Sequence, residues 1–325
     1  MSPPKPRVAM LGAGAIGLWV GADWGAALIG RAERLAPLRA DGLRLSGDGV
    51  ERHLPADALT FAGPEALGDC DLIALAVKAT SLEGAIAEIH AQAQPETPIL
   101  CLLNGLAPVR DLKAAFPARE VLAGMVPFNV VWRGPAHLHR SSAGVVAVED
   151  TAVTQGLAGR ETILRSDMVP LQYGKLLLNL INPINALSGL GLREMLSHRA
   201  WRRIYAAVLD EAMGVYDAAN VPWIRAGPIP PRLAVRLLAL PDAVFTRTLL
   251  PLQKIDPNSI TSMAADLETG RPTEIDILNG EIVALADAPD RAAPRNATLV
   301  RLIHAAEAGG RRVWTAKDLG RELGL

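Results

Sequence analysis

Along the first half of the chain, apolar residues come in short, nearly continuous runs separated by polar turns. Arg7-Val-Ala-Met-Leu11, Ala26-Ala-Leu-Ile29, Cys70 to Val77, Pro98 to Leu103 and Val121 to Val126 are such runs. Strands buried on both faces of a parallel sheet read this way, without the alternation of a half-exposed strand. Gly42-Leu-Arg-Leu45 predicts a further strand or hairpin, and Gly144 to Val148 the last strand. After about Asp167 the period changes. Tyr173 to Leu187 reads as one helix, apolar nearly all round and therefore buried. Ala200 to Met213 reads as an amphipathic helix with Trp201, Ile204, Tyr205, Val208, Leu209 and Met213 inward. From Val221 to Pro257 prolines recur, among them Pro222, Pro228, Pro241 and Pro257, so short helices and loops are expected. The pattern predicts an α/β protein: a parallel-sheet domain over residues 1–167, then an all-α domain over 168–325.

Composition narrows the partners. A chain of 325 residues, half of them hydrophobic, can build two cores. The net charge of -1 and the lack of a basic tract argue against nucleic acid and against an anionic membrane surface. No apolar stretch is long enough for a membrane span, and no signal-like segment precedes the first strand, so a cytoplasmic protein is expected. Cys70 and Cys101 lie in strand-like runs and are expected as buried, reduced thiols. His137 and His139 alternate as in a strand, but no Cys, Asp or Glu accompanies them. A surface pair is expected, and no metal. His53, His90, His198 and His304 are isolated and receive no role.

Candidate chemistry begins at the first run. Gly12-Ala13-Gly14-Ala15-Ile16-Gly17 is G-x-G-x-x-G, placed between a strand and a helix. Gly12 permits the tight turn, Gly14 lets a pyrophosphate reach the backbone, and Gly17 lets helix and strand pack closely. This makes the first domain Rossmann-like. An NAD site calls for Asp or Glu at the end of the second strand, but Arg31 stands there, with Arg34 one turn on. A guanidinium suits a 2′-phosphate, so NADP is expected. Only eight residues separate Gly17 from Ala26, short for a helix, a turn and a strand entry. Lys78 and Asn104 end two of the buried runs, where α/β sheets bind ligands.

In the second half Lys175, Asn179 and Asn182 fall at i, i+4 and i+7, in file on an apolar helix. A buried lysine is costly unless paired or able to give up its proton. Two readings stand: a polar cleft with Lys175 as proton donor, or a hydrogen-bond network joining helices. Pro183 cannot donate to the Asn179 carbonyl, so a kink is expected there. Ser262 suits a helix cap or a carboxylate contact at that helix start. Thr273 and Asp276 have capping-box spacing, which puts Glu274 in a first helical turn with Ile275, Leu278 and Ile282 toward the core.

Four stretches in order resemble the ketopantoate reductase (2-dehydropantoate 2-reductase) family. They are Leu11 to Gly17, Val77-Lys78 with Leu103-Asn104-Gly105, Lys175-Leu-Leu-Leu-Asn179, and Ser262-Met263 with Thr273-Glu274-Ile275-Asp276. The resemblance implies NADPH-dependent reduction of a small 2-oxo acid by an NADP(H)-binding Rossmann domain joined to a helical domain. It implies Lys175 as general acid, Glu274 near the lysine and the nicotinamide ribose, and Asn179, Asn182 and Ser262 on substrate. Arg31, Lys78 and Asn104 would serve the cofactor, Asn104 also touching substrate. The expected partner is the 2-oxo acid, with a homodimer as the one assembly allowed for. There are departures from the family's pattern. Asn182-Pro183 stands one residue closer to the lysine than usual, leaving Asn185 as an alternative contact. Leu192 stands near a place where some members carry asparagine. Ser259, with Asn258 beside it, replaces another asparagine. These changes leave room for a different 2-oxo acid or an imine. A non-catalytic NADP-responsive protein of the same fold is the other alternative, and Lys175 and Glu274 argue against it, because cofactor binding alone needs neither.

Overall fold

The structure, a computed structural model, describes residues 4–227, 229–253, 255–256, 259–287 and 292–325. Pro228, Pro257 and Asn258 lie outside the described residues. The chain divides into two compact units, Met1–Met168 and Val169–Leu325.

The first unit carries strands β1 (Val8–Leu11), β2 (Ala27–Ile29), β3 (Leu43–Gly47), β4 (Val50–Leu54), β5 (Thr60–Ala62) and β6 (Leu72–Leu75). It continues with β7 (Ile99–Cys101), β8 (Val121–Met125), β9 (Val130–Gly134), β10 (His137–Arg140), β11 (Val146–Glu149) and β12 (Thr162–Arg165). Helices α1 (Ala15–Trp24), α2 (Ala32–Asp41), α3 (Leu82–Gln92) and α4 (Ala107–Ala115) connect them. The main sheet runs β12-β11-β8-β7-β6-β1-β2-β5. Every neighbouring pair is parallel except β11 with β8. Counted among themselves in chain order, the strands from β5 to β8 lie 3-2-1-4-5-6, the order of a dinucleotide-binding sheet. β1 and β6 are buried along their whole length, as their uninterrupted apolar sequences require.

The short first crossover closes without strain. α1 runs on to Trp24, Gly25 ends it at φ 61, and the Ala26 N–H donates to the Gly21 carbonyl at 2.8 Å. A one-residue left-handed cap replaces a longer loop. β2 then pairs with β1 from Ala27. Three expectations need correction. Gly144–Val148 is not the last strand, because β12 follows and pairs in parallel with β11. Cys70 precedes β6 in a turn and is only half-buried, whereas Cys101 is fully buried in β7. His137 and His139 are not a surface pair. They sit half-buried on β10 in a second, four-stranded sheet, β4-β3-β10-β9, and both rings reach the Ser46 hydroxyl, at 2.7 and 3.0 Å.

The second unit contains helices α5 (Met168–Asn179), α6 (Asn182–Ser188), α7 (Leu192–Ser197), α8 (Arg199–Ala218), α9 (Pro231–Leu238) and α10 (Asp242–Thr248). α11 (Ser262–Glu268), α12 (Asn279–Leu285), α13 (Pro294–Ala305) and α14 (Ala316–Glu322) complete it, and no described residue here is in a strand. The six apolar residues foreseen for α8 are all buried. α8 also buries Arg202 completely, a residue the pattern did not single out. Its guanidinium donates to the carbonyls of Leu196, Leu238 and Leu240 and meets Asp242 at 3.0 Å, so the charge is fully partnered.

The helix expected from Tyr173 to Leu187 is in fact two. α5 stops at Asn179 and α6 starts at Asn182, because Pro183 has no N–H for the Asn179 carbonyl. Leu178 is 41% exposed, so α5 is not apolar-buried on every side. No described helix is long and apolar enough to cross a membrane.

Candidate active site

In the first unit, candidate residues follow the C-terminal ends of β1, β2, β6 and β7, which are adjacent and parallel, so these ends share one edge of the sheet. Gly12 turns the chain at φ 118, and a Cβ there would lie 2.7 Å from the Ala76 backbone. A Cβ on Gly17 would collide with the Gly12 oxygen. Both positions need glycine so that α1 can start directly against β1. Gly14 differs: it is exposed, and an added Cβ would meet nothing nearer than the Ala76 oxygen at 4.0 Å. The space before the first turn of α1 is therefore open. That turn carries no acidic residue and no side-chain cap bond, so its N–H groups are suited to an anion. Ala13 is buried beneath the turn, and Ala15 and Ile16 are half-buried.

Arg31 is the exposed N-cap of α2, two residues past β2. Arg34 is stacked on the Trp132 ring at 4.6 Å, which sets Arg31 apart from it. Lys78 is exposed just before a 3-10 turn at Ala79–Ser81. Asn104 is half-buried beside Gly105, whose φ of 80 turns the chain away from β7.

In the second unit, α5 is held on both sides of Lys175. From α8, the Tyr216 hydroxyl donates to the Tyr173 carbonyl at 3.2 Å and the Tyr205 hydroxyl to the Leu177 carbonyl at 3.4 Å. At Gly174 an added Cβ would collide with the Ile224 oxygen, so the 224 segment passes directly along the helix backbone beside the lysine. Lys175 is half-buried as a residue. Burial pushes its amine down from 10.5 to about 8, and the Glu274 carboxylate pulls in the opposite direction. Glu274 is only 9% exposed. Cation and carboxylate thus act on each other within one unit, from segments far apart in sequence.

Ser262 is not the cap of α11. Thr261 is, its hydroxyl accepting the Ala264 N–H at 3.3 Å, and Ser262 is the exposed first helical residue. The Thr261 N–H donates to Asn185 Oδ1 at 3.0 Å, and its hydroxyl lies 3.4 Å from the Asn182 carbonyl. These bonds bring the start of α11, with Ser262, to the start of α6, with Asn182. Asn185, the alternative substrate contact, has no exposed surface, and its Nδ2 donates to the Leu190 carbonyl at 2.9 Å. Its carboxamide is engaged at both ends, so it ties helices together. Asn179 is half-buried at the end of α5, and Asn182, across the helix break, is 9% exposed.

The capping box at Thr273 does not form. Residues Ile275 to Leu278 make a turn and α12 begins only at Asn279, because other groups claim both capping residues. The Thr273 hydroxyl accepts the Ile275 N–H at 3.3 Å, and the Asp276 carboxylate meets His304 at 2.9 Å. Ile275, Leu278 and Ile282 are fully buried, as the pattern required. His304 and Glu307 escaped the sequence reading. The only signal was their i, i+3 spacing at the end of a helix. Among the described residues, no three His, Cys, Asp or Glu side chains gather as a metal would need.

Comparison with known proteins gives the family. The ketopantoate reductase PanE/ApbA family profile matches residues 8–152, and its C-terminal counterpart matches residues 167–307. The chain belongs to the ketopantoate reductase family. It is accordingly an oxidoreductase. Curated 2-dehydropantoate 2-reductases of Mesorhizobium japonicum and Halobacterium salinarum are 26% and 25% identical to it. The alignments cover 91% and 94% of this chain and 96% and 100% of theirs. The ketopantoate reductase of Ralstonia eutropha JMP134 shares the fold at TM-score 0.75 and 24% identity, over 94% of this chain and all of that one. A D-mandelate dehydrogenase solved with NADH and anilino(oxo)acetate shares it at TM-score 0.72 and 21% identity, over 93% of this chain and 99% of its own.

Proposed function

We propose that this family member reduces a small 2-oxo acid with NADPH, most directly 2-dehydropantoate (ketopantoate) to pantoate, and that Lys175 supplies the proton. The observation that carries the reading is Lys175 on a helix fixed on both sides of it by Tyr205 and Tyr216, under the influence of the buried Glu274; burial lowers the amine to about 8 and Glu274 opposes that. An ammonium of that acidity is charged at neutral pH yet gives up its proton readily, which a general acid requires.

Bound reduced nicotinamide supplies the hydride that adds to the ketone carbon. Lys175 stabilises the charge growing on the carbonyl oxygen and passes its Nζ proton there, leaving a 2-hydroxy acid and a neutral amine that regains a proton from solvent. Glu274 favours the charged amine between turnovers. Asn179, Asn182 and the exposed Ser262 would orient the acid, with their resemblance to the family as support. Gly12 to Gly17 would receive the pyrophosphate: the Gly14 backbone is open to it, and no carboxylate stands in the first turn of α1. Arg31, exposed beyond β2 where an NAD site carries an acid, favours a 2′-phosphate. Lys78 and Asn104 complete the cofactor's neighbours. A cytoplasmic homodimer is the proposed setting.

A different 2-oxo acid is the second reading, favoured by the engagement of Asn185 with Thr261 and Leu190. The test is NADPH oxidation across a panel of small 2-oxo acids, with NADH as control. Ketopantoate is expected to give the highest kcat/KM, with a preference for NADPH that Arg31→Ala reduces about tenfold. Faster turnover of another acid would install the second reading. Tight NADPH binding without turnover of any acid would remove the enzymatic one.

A further inference from the structure

The turn that carries Glu274 is fastened at both ends to one histidine-centred cluster. On its N-terminal side, the Thr273 N–H donates to Glu307 Oε1 at 2.7 Å. On its C-terminal side, the Asp276 carboxylate lies 2.9 Å from His304 Nε2. Between the two anchors, His304 Nδ1 lies 3.0 Å from Glu307 Oε2. Backbone 273, Glu307, His304, Asp276 and backbone 276 therefore form a closed ring around the intervening Glu274. Glu307 reaches both partners from the π-helical turn Ala306–Gly310, which follows α13 directly. Such turns displace side chains from regular helical register.

We propose that His304 is a positioning residue for Glu274, clamping its turn through Asp276 and Glu307 so that the carboxylate keeps its influence on Lys175. The inference rests on the reading of Lys175 as proton donor. A neutral imidazole has one N–H, so it can donate to only one of the two carboxylates; the imidazolium donates to both. Among the described residues, the charged groups acting on His304 are Asp276, from the turn, and Glu307, from the segment after α13. Both raise its proton affinity, the Glu307 hydrogen bond most strongly. A histidine with a raised folded-state pKa contributes its full stabilisation below about 6.5, and the contribution is lost as pH rises through the raised value. The clamp is thus firm in mildly acidic conditions and relaxes toward alkaline ones. Relaxation lets Glu274 withdraw, which lowers the proton affinity of Lys175. At 46% exposure of the His304 side chain the effect is modest, because solvent screens it.

The test compares the pH profile of kcat in wild type, His304→Ala, His304→Arg, Glu307→Gln and Lys175→Ala, with the KM for NADPH and Tm recorded alongside. His304→Ala is expected to lower kcat about threefold and to move the alkaline limb down by about half a pH unit, while the KM for NADPH holds. Glu307→Gln keeps an acceptor for Thr273 but loses the charge facing His304, so it should move the limb the same way. His304→Arg, a permanently charged fork that cannot relax at alkaline pH, should hold the limb at or above its wild-type position. An inactive Lys175→Ala beside a His304→Ala with wild-type kcat and limb would overturn the clamp alone. Wild-type turnover in Lys175→Ala would overturn the site reading and the clamp's catalytic meaning with it. A fall in Tm for His304→Ala with no movement of the limb would also overturn the proposal, reducing the cluster to structural support.

Discussion

In the first unit six consecutive residues, Gly12 to Gly17, make the open helix start. In the second, Lys175, Asn182, Ser262 and Glu274 come from four separate segments. The difference follows from what each part is proposed to recognise. A phosphate is met by backbone N–H groups, so the requirement is local: a tight turn, no Cβ in the way, and a helix beginning at once. A carbonyl that must receive a proton needs side chains converging from several directions, and convergence is set by packing. The tyrosines of α8, the passage of the 224 segment over Gly174, the Thr261–Asn185 bond and the hydrogen bonds at Thr273 and Asp276 hold the segments that carry these four residues.

The comparison breaks most sharply at the lysine. Lys175→Ala is expected to cut kcat about 10²- to 10⁴-fold, the range of a lost general acid, while NADPH binding, assigned to the other unit, changes little. Steady-state kinetics with a cofactor-binding titration check this, and parallel loss of cofactor binding would dissolve the division of labour. A smaller effect is expected at Asn185. Asn185→Ala leaves the Thr261 N–H and the Leu190 carbonyl without their partner and should cost about 1–3 kcal/mol of stability. The loss would be read as a lower denaturation midpoint in the second unit, with the KM for the acid nearly unchanged. A large rise in KM at wild-type stability would return Asn185 to the substrate.

The same contrast decides what could be read from the sequence. Buried parallel strands such as Leu72–Leu75 announce themselves, because burial on both faces leaves an uninterrupted apolar run. The glycine turn is legible for the same reason, since each glycine answers a local steric demand. α8 was legible from its apolar period. The short crossover looked awkward only because the one-residue Gly25 cap leaves no loop to count. In the helical unit, local rules misplaced the ends of elements. Ser262 and Thr273 both resemble caps, but Thr261 captures the first role, and Glu307 and His304 draw Thr273 and Asp276 away from the second. Pro183 signals a kink in the sequence, and the structure makes it a clean break that leaves Lys175 and Asn182 on different helices. His304 was unreadable because its partners lie across a turn whose path only the folded chain defines.

The central claim is that Lys175 is the proton donor, its acidity set by burial against the pull of Glu274. The most direct measurement is the pH dependence of kcat for 2-oxo acid reduction in wild type and in Glu274→Gln. Because the amine must carry its proton, wild-type turnover should fall as pH rises through about 8. Removing the carboxylate takes away the group that raises the amine, so the fall should begin at lower pH in the variant. A wild-type rate that stays level well into the alkaline range, or a fall at the same pH in both proteins, would contradict the account.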